Sequence, residues 1–197
     1  MFYNLQNLPN GWRFKSTPGH GYLYIPQELL EKMPEKVQAK HPFEEDCDYM
    51  LPVWFFKELF EEEVRQAAEK TVKNWNYEIY EEITGETLQM GESTLKDDKL
   101  FYQNNVGRLA TVCAFGDWRF QVPKGFTYVI AKEIPENPGH FPAFSGPEFG
   151  FLVSHEKYDN RGKTYIIDPK TDIPFVVSKE FYKWDDWEKK TGSVRPY

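Results

Sequence analysis

Ser16-Thr17-Pro18-Gly19-His20-Gly21 places hydroxyls, an imidazole and a pair of glycines in one short stretch. An imidazole titrates near neutral pH, so a ring presented from a tight turn can take or give a proton. A carboxylate to orient it would come from Asp46 or Asp48, in the acidic run that follows His41. That pairing implies a small, cofactor-independent hydrolase in which His20 works with Asp46 or Asp48. The plainer reading of the same residues is a turn whose glycines satisfy its dihedrals while His20 hydrogen-bonds the loop.

Other catalytic chemistry has less to stand on. Glu35, Glu44, Glu45, Asp46 and Asp48 surround His41, yet their spacing matches neither HExxH nor a calcium loop, so no metal site is expected. Ser145 lies in Phe-Ser-Gly-Pro rather than in a GxSxG elbow, and neither a GxGxxG nor a GxxxxGK[ST] loop is present. No cofactor is expected. Cys47 and Cys113 stand outside any CxxC pair and among apolar neighbours, which reads as buried thiols.

Acidity offers a different class of function. The net charge of the 197 residues is -7, and residues 41–100 alone hold 16 acidic and 6 basic side chains, a net of -10. Glu58, Glu61, Glu62, Glu69, Glu81 and Glu82, joined by Asp97 and Asp98, form a candidate negative ridge for a protein with a basic surface. The same residues also suit a solvated helix face. A negative field repels phosphate backbones, so direct nucleic-acid binding is disfavoured despite the interleaved Trp12-Arg-Phe-Lys15 and Trp118-Arg-Phe-Gln121. Those segments read as amphipathic strands with Trp and Phe inward and Arg13 or Arg119 outward.

The elements that must position these residues read as α+β. Asn10–Ile25 forms two short strands about Pro18-Gly19, and Pro26–Met33 a short helix closed by Pro34. From Val53 to about Ile83, apolar residues recur at three- and four-residue spacings, which predicts one long amphipathic helix or two shorter ones parted near Asn74 and Asn76. Gly85 ends it. Residues 85–105 read as a polar connection with a brief element near Leu100–Tyr102. Leu109–Phe115, Trp118–Val122 and Phe126–Ala131 read as an antiparallel meander on which the helix packs. A Pro/Gly-rich loop spans 135–147. Phe149–Val153, Thr164–Ile167 and Phe175–Val177 read as further strands, with a turn at Asn160-Arg-Gly162. A last helix is expected over Ser178–Lys190.

At 197 residues with 17% aromatic content, the chain suits one domain with a sizeable core. No run of about 20 apolar residues occurs and residues 1–9 lack the pattern of a secretory leader, so a cytoplasmic protein without a membrane span is expected.

The order Ser16–Tyr22, then Glu44–Asp48 entering a helix, then Gly116-Asp117-Trp118 and Val122-Pro123-Lys124-Gly125 before a strand, resembles an uncharacterised domain family of phages, plasmids and other bacterial mobile elements. The resemblance spans roughly residues 10–135 and brings no catalytic mechanism with it. It implies a small accessory protein acting on a host or element-encoded partner. The leading expectation is therefore a protein-binding regulator or inhibitor, with the His20 hydrolase as the alternative.

Overall fold

The computed structural model describes residues 8–182. The fold is α+β, with several helices and antiparallel sheets. The chain divides into two compact units, Met1–Asp98 and Lys99–Tyr197.

In the first unit, β1 (Arg13–Ser16) and β2 (Gly21–Tyr24) form a hairpin, Arg13 opposite Tyr24 and Ser16 opposite Gly21. Pro18-Gly19 makes the reversal, as the sequence requires. Short helices α1 (Gln27–Leu30) and α2 (Glu35–Gln38) each begin directly after a proline, which donates no N–H and has its φ preset for entry. β3 (Phe43–Glu44) then returns beside β2, Leu23 opposite Phe43 and Tyr22 opposite Glu44.

The long apolar run is helical in pieces. α3 (Met50–Phe55) and a 3₁₀ turn (Lys57–Leu59) precede α4 (Glu62–Trp75) and α5 (Tyr77–Thr84). Phe56, Phe60 and Glu61 leave helical dihedrals at one break and Asn76 does so at the other. Val64, Ala68 and Val72, four residues apart, put one row of α4 into the same core as Leu23 and Phe43. The helical run thus shares its core with the three-stranded sheet of its own unit. α5 ends at Gly85, whose φ of 72° is the left-handed conformation that glycine adopts without penalty.

Residues 85–105 hold more structure than their polarity suggests. α6 (Thr94–Gln103) occupies their second half, and the division between the units falls within it. The Asn74 carboxamide oxygen accepts from both the Thr94 N–H and its hydroxyl, tying the start of α6 to α4.

The second unit is built on a sheet ordered β4 (Leu109–Phe115), β5 (Phe126–Glu133), β6 (Phe149–Ser154) and β7 (Ile173–Pro174), every pair antiparallel. Along β5, Tyr128 and Ile130 face a cluster with Leu152 and Phe181, while Val129 and Ala131 face another with Val153 and Ile167. Apolar packing on both faces explains why β5 is a continuous apolar run rather than an alternating one. Ser154 caps α7 (His155–Asp159) by accepting from the Lys157 N–H.

Several expectations change here. Trp118–Val122 is a turn, not a strand, and it inverts the expected facing: Trp118 is half exposed while Arg119 is buried. Arg119 donates to the Phe181 carbonyl and lays its guanidinium 5.2 Å from the Phe181 ring centroid. Thr164–Ile167 contributes only an isolated bridge, Ala110 to Ile166, and Phe175–Val177 lies just beyond β7. Cys113 is exposed, because a register shift between Thr111 and Cys113 breaks the alternation of β4. Cys47 is half-buried. Of the last expected helix, Lys179–Tyr182 is a 3₁₀ turn, and the remainder, with Trp184, Asp185, Asp186 and Trp187, lies outside the described residues.

Candidate functional site

His20 leaves the hairpin turn at the end of β1. The Thr17 hydroxyl donates to the His20 carbonyl at 2.6 Å and accepts from the His20 N–H at 3.1 Å, so the backbone beneath the ring is clamped. Because β3 pairs with β2, Glu44 arrives next to the ring, and His20 Nδ1 lies 3.0 Å from Glu44 Oε1. Asp46 joins them, its N–H donating to Glu44 Oε2 at 2.9 Å. One donor atom from each of His20, Glu44 and Asp46 lies within 4.8 Å of the others. Beside the cluster, Gly21 leaves room for the Glu45 carboxylate and the Phe14 ring, both of which a β-carbon there would strike.

The cluster is anchored from below. Asn76, buried at the break between α4 and α5, donates its carboxamide N–H to the Cys47 carbonyl at 2.9 Å. Sequence reasoning saw Asn76 only as a helix interruption. Its buried amide also fixes the strip that carries Glu44 and Asp46. Asn76→Ala is expected to lower the stability of this unit by about 1–2 kcal/mol, the cost of losing a part-buried hydrogen bond to the Cys47 carbonyl, read from the urea midpoint.

Electrostatics separates the neighbouring groups. Burial pulls the Glu44 carboxyl upward, but the Asp46 N–H, the His20 ring and the Cys47 thiol outweigh it, holding Glu44 below the usual range. Burial, reinforced by Asp48 and Glu44, pushes the Cys47 thiol up to about 12, so Cys47 is a neutral thiol and not a nucleophile. Asp48, named beside Asp46 as a partner for His20, instead pairs with Lys40 at 2.9 Å. The carboxylate that orients His20 is Glu44.

His41, which acidic residues surround in sequence, is not in the cluster. Its ring stands edge-on to Tyr24 and Phe43, each 5.6 Å away, and its Nε2 is buried without a hydrogen-bond partner among the described residues. Burial lowers its pKa from the ordinary 6.5. The unfolded chain therefore takes the proton first, and stability present above pH 6.5 is lost as pH falls toward the lowered folded value. His41→Phe is expected to remove part of the drop in urea midpoint between about pH 7.5 and about pH 5.5.

The acidic ridge divides into paired and unpaired members. Glu62 lies 3.5 Å from Arg65, Glu69 2.8 Å from Lys73, Glu81 2.6 Å from Lys96 and Glu82 2.5 Å from Lys36. Lys73 holds the Glu69 carboxyl below its usual range, and Lys96 does the same for Glu81. Asp97 accepts from the Gly91 N–H, and Asp98 is buried. Glu58 and Glu61 are exposed with no ion pair among the described residues, as is Glu63, and Leu59 among them is 48% exposed. The ridge thus contracts to an edge over residues 58–63.

A family model for a domain of unknown function, DUF7007, matches residues 4–106. The chain belongs to the DUF7007 family. The match contains the His20 hairpin, the 44–48 strip and the 58–63 edge, and it ends before Gly116-Asp117-Trp118. No curated protein and no solved structure matches the chain. Among the described residues, no helix is long and apolar enough to cross a membrane.

Proposed function

We propose that this DUF7007 protein is an accessory factor that binds a protein with a basic surface through its 58–63 edge, as a regulator or inhibitor. The observation that carries the reading is that Glu58, Glu61 and Glu63 are exposed next to the exposed Leu59 in sequence and form no ion pair among the described residues. Unpaired carboxylates speed encounter with a basic surface, and an apolar side chain among them supplies contact area once docked. The resemblance of the hairpin and the 44–48 strip to mobile-element domains suggests a host or element-encoded protein as the partner.

Affinity capture tests this. The tagged chain is expected to retain a stoichiometric protein that Glu58→Lys/Glu61→Lys/Glu63→Lys loses. No retained partner at low or physiological ionic strength, or equal retention by the variant, contradicts it.

A hydrolytic reading keeps one observation in its favour: Glu44 orients His20 through Nδ1, the arrangement of a general base. It requires a folded His20→Ala variant to lose turnover of an identified substrate while retaining partner capture.

A further inference from the structure

We propose that His20, Glu44 and Asp46 form a binding site for a divalent first-row transition ion of the Zn²⁺ type. The donor set is one imidazole nitrogen and two carboxylates, so with a neutral ring it places two negative charges around a dication. Metal-donor bonds of about 2.0–2.2 Å at tetrahedral angles put donor atoms about 3.3 Å apart. His20 Nδ1 and Glu44 Oε1 already stand 3.0 Å apart, and Asp46 completes the set within 4.8 Å. An ion entering here replaces the His20–Glu44 hydrogen bond rather than requiring the hairpin to move.

The supports sit outside the donor set. Thr17 clamps the His20 backbone, β2–β3 pairing sets Glu44 beside the hairpin, and Asn76 holds the Cys47 carbonyl. The site is also reachable from solvent: the His20 side chain is 58% exposed and Asp46 is exposed. Three protein donors leave a fourth position for water, as in an open rather than a closed zinc site. Imidazole in the set favours Zn²⁺, Ni²⁺ or Cu²⁺ over Mg²⁺ and Ca²⁺, which prefer oxygen donors throughout. The inference stands apart from the 58–63 edge and shares no residue with it.

Calorimetric titration of the full chain with ZnCl₂ and with MgCl₂ is the test. One equivalent of Zn²⁺ is expected to bind, with Mg²⁺ at least about 10-fold weaker. His20→Ala and Asp46→Asn, both at exposed side chains, are expected to keep the wild-type melting curve and to weaken Zn²⁺ binding by about 10-fold or more. His140→Ala is expected to bind as the wild type does. Zn²⁺ uptake should also shift the His20 ring resonances in NMR spectra. Absence of Zn²⁺ uptake, or uptake that His20→Ala leaves unchanged, overturns the proposal.

Discussion

Phe43→Ala is expected to destabilise the first unit by about 3–5 kcal/mol, the range for removing a large aromatic side chain from a close-packed core. Phe43 is fully buried, stands opposite Leu23 across the β2–β3 pairing and meets the His41 ring edge-on. Collapse around the void is restricted, since Leu23 and Val72 in the same cluster are themselves fully buried. The consequence reaches the site, because Glu44 follows Phe43 and owes its position beside His20 to that pairing. Urea unfolding should show the loss in the first unit's transition, and Phe43→Leu should recover most of it. A loss below about 1 kcal/mol would contradict the packing described here.

Asp172→Ala is the corresponding expectation for the second unit, at about 3 kcal/mol. The Asp172 side chain is 1% exposed. Its carboxylate accepts from the Tyr165 hydroxyl at 2.9 and 3.0 Å and from the Asp168 N–H at 2.8 Å, with Lys157 at 3.3 Å. All three partners are donors, and removing the carboxylate takes the acceptor from the Tyr165 hydroxyl and the Asp168 N–H, while Lys157 still donates to the Thr171 hydroxyl. Burial pushes the Tyr165 phenol up, and Asp172 reinforces this, so the hydroxyl is a committed donor. Lys157 is partly exposed and regains water, which keeps the cost from rising further. Asp172→Asn should recover less than half of the loss, because its amide turns two N–H groups toward a donor set. A thermal scan of both variants checks this, and near-wild-type melting of Asp172→Asn would show that the carboxylate's charge is dispensable.

The sequence disclosed what local chemistry controls. Pro18-Gly19 between strand-forming runs located the hairpin, and Gly85 located the end of α5. Apolar spacing revealed the helical run and Asn76 marked one of its breaks, whereas the break at Phe56–Glu61 falls among apolar and acidic residues that carry no helix-stop signal. α6 was harder to read, since a polar segment becomes helical there through Asn74 and Thr94, 20 residues apart. Trp118–Val122 has the composition of a strand and forms a turn, with Arg119 buried against Phe181, a contact 62 residues distant.

The candidate site was legible in part for the same reason. His20 and Asp46 stood out by residue type. Glu44 was visible as one carboxylate among several, and its pairing with His20 depends on strand register, which the residue types do not state. Asp48 was equally eligible in sequence and is held by Lys40 instead. The acidic ridge was read from residue types along the chain, whereas its neutralising cations include Lys36, 46 residues from Glu82, and Lys96, 15 residues from Glu81, which only the fold brings to them.

The most direct measurement is the association rate constant of the captured partner with wild-type chain and with Glu58→Lys/Glu61→Lys, at low and at about 0.15 M ionic strength. A steered encounter predicts a rate for the wild type that falls with salt and, at low salt, a rate for the variant lower by about 10-fold or more. Equal rates for the two proteins, insensitive to salt, would contradict an acidic docking edge at residues 58–63.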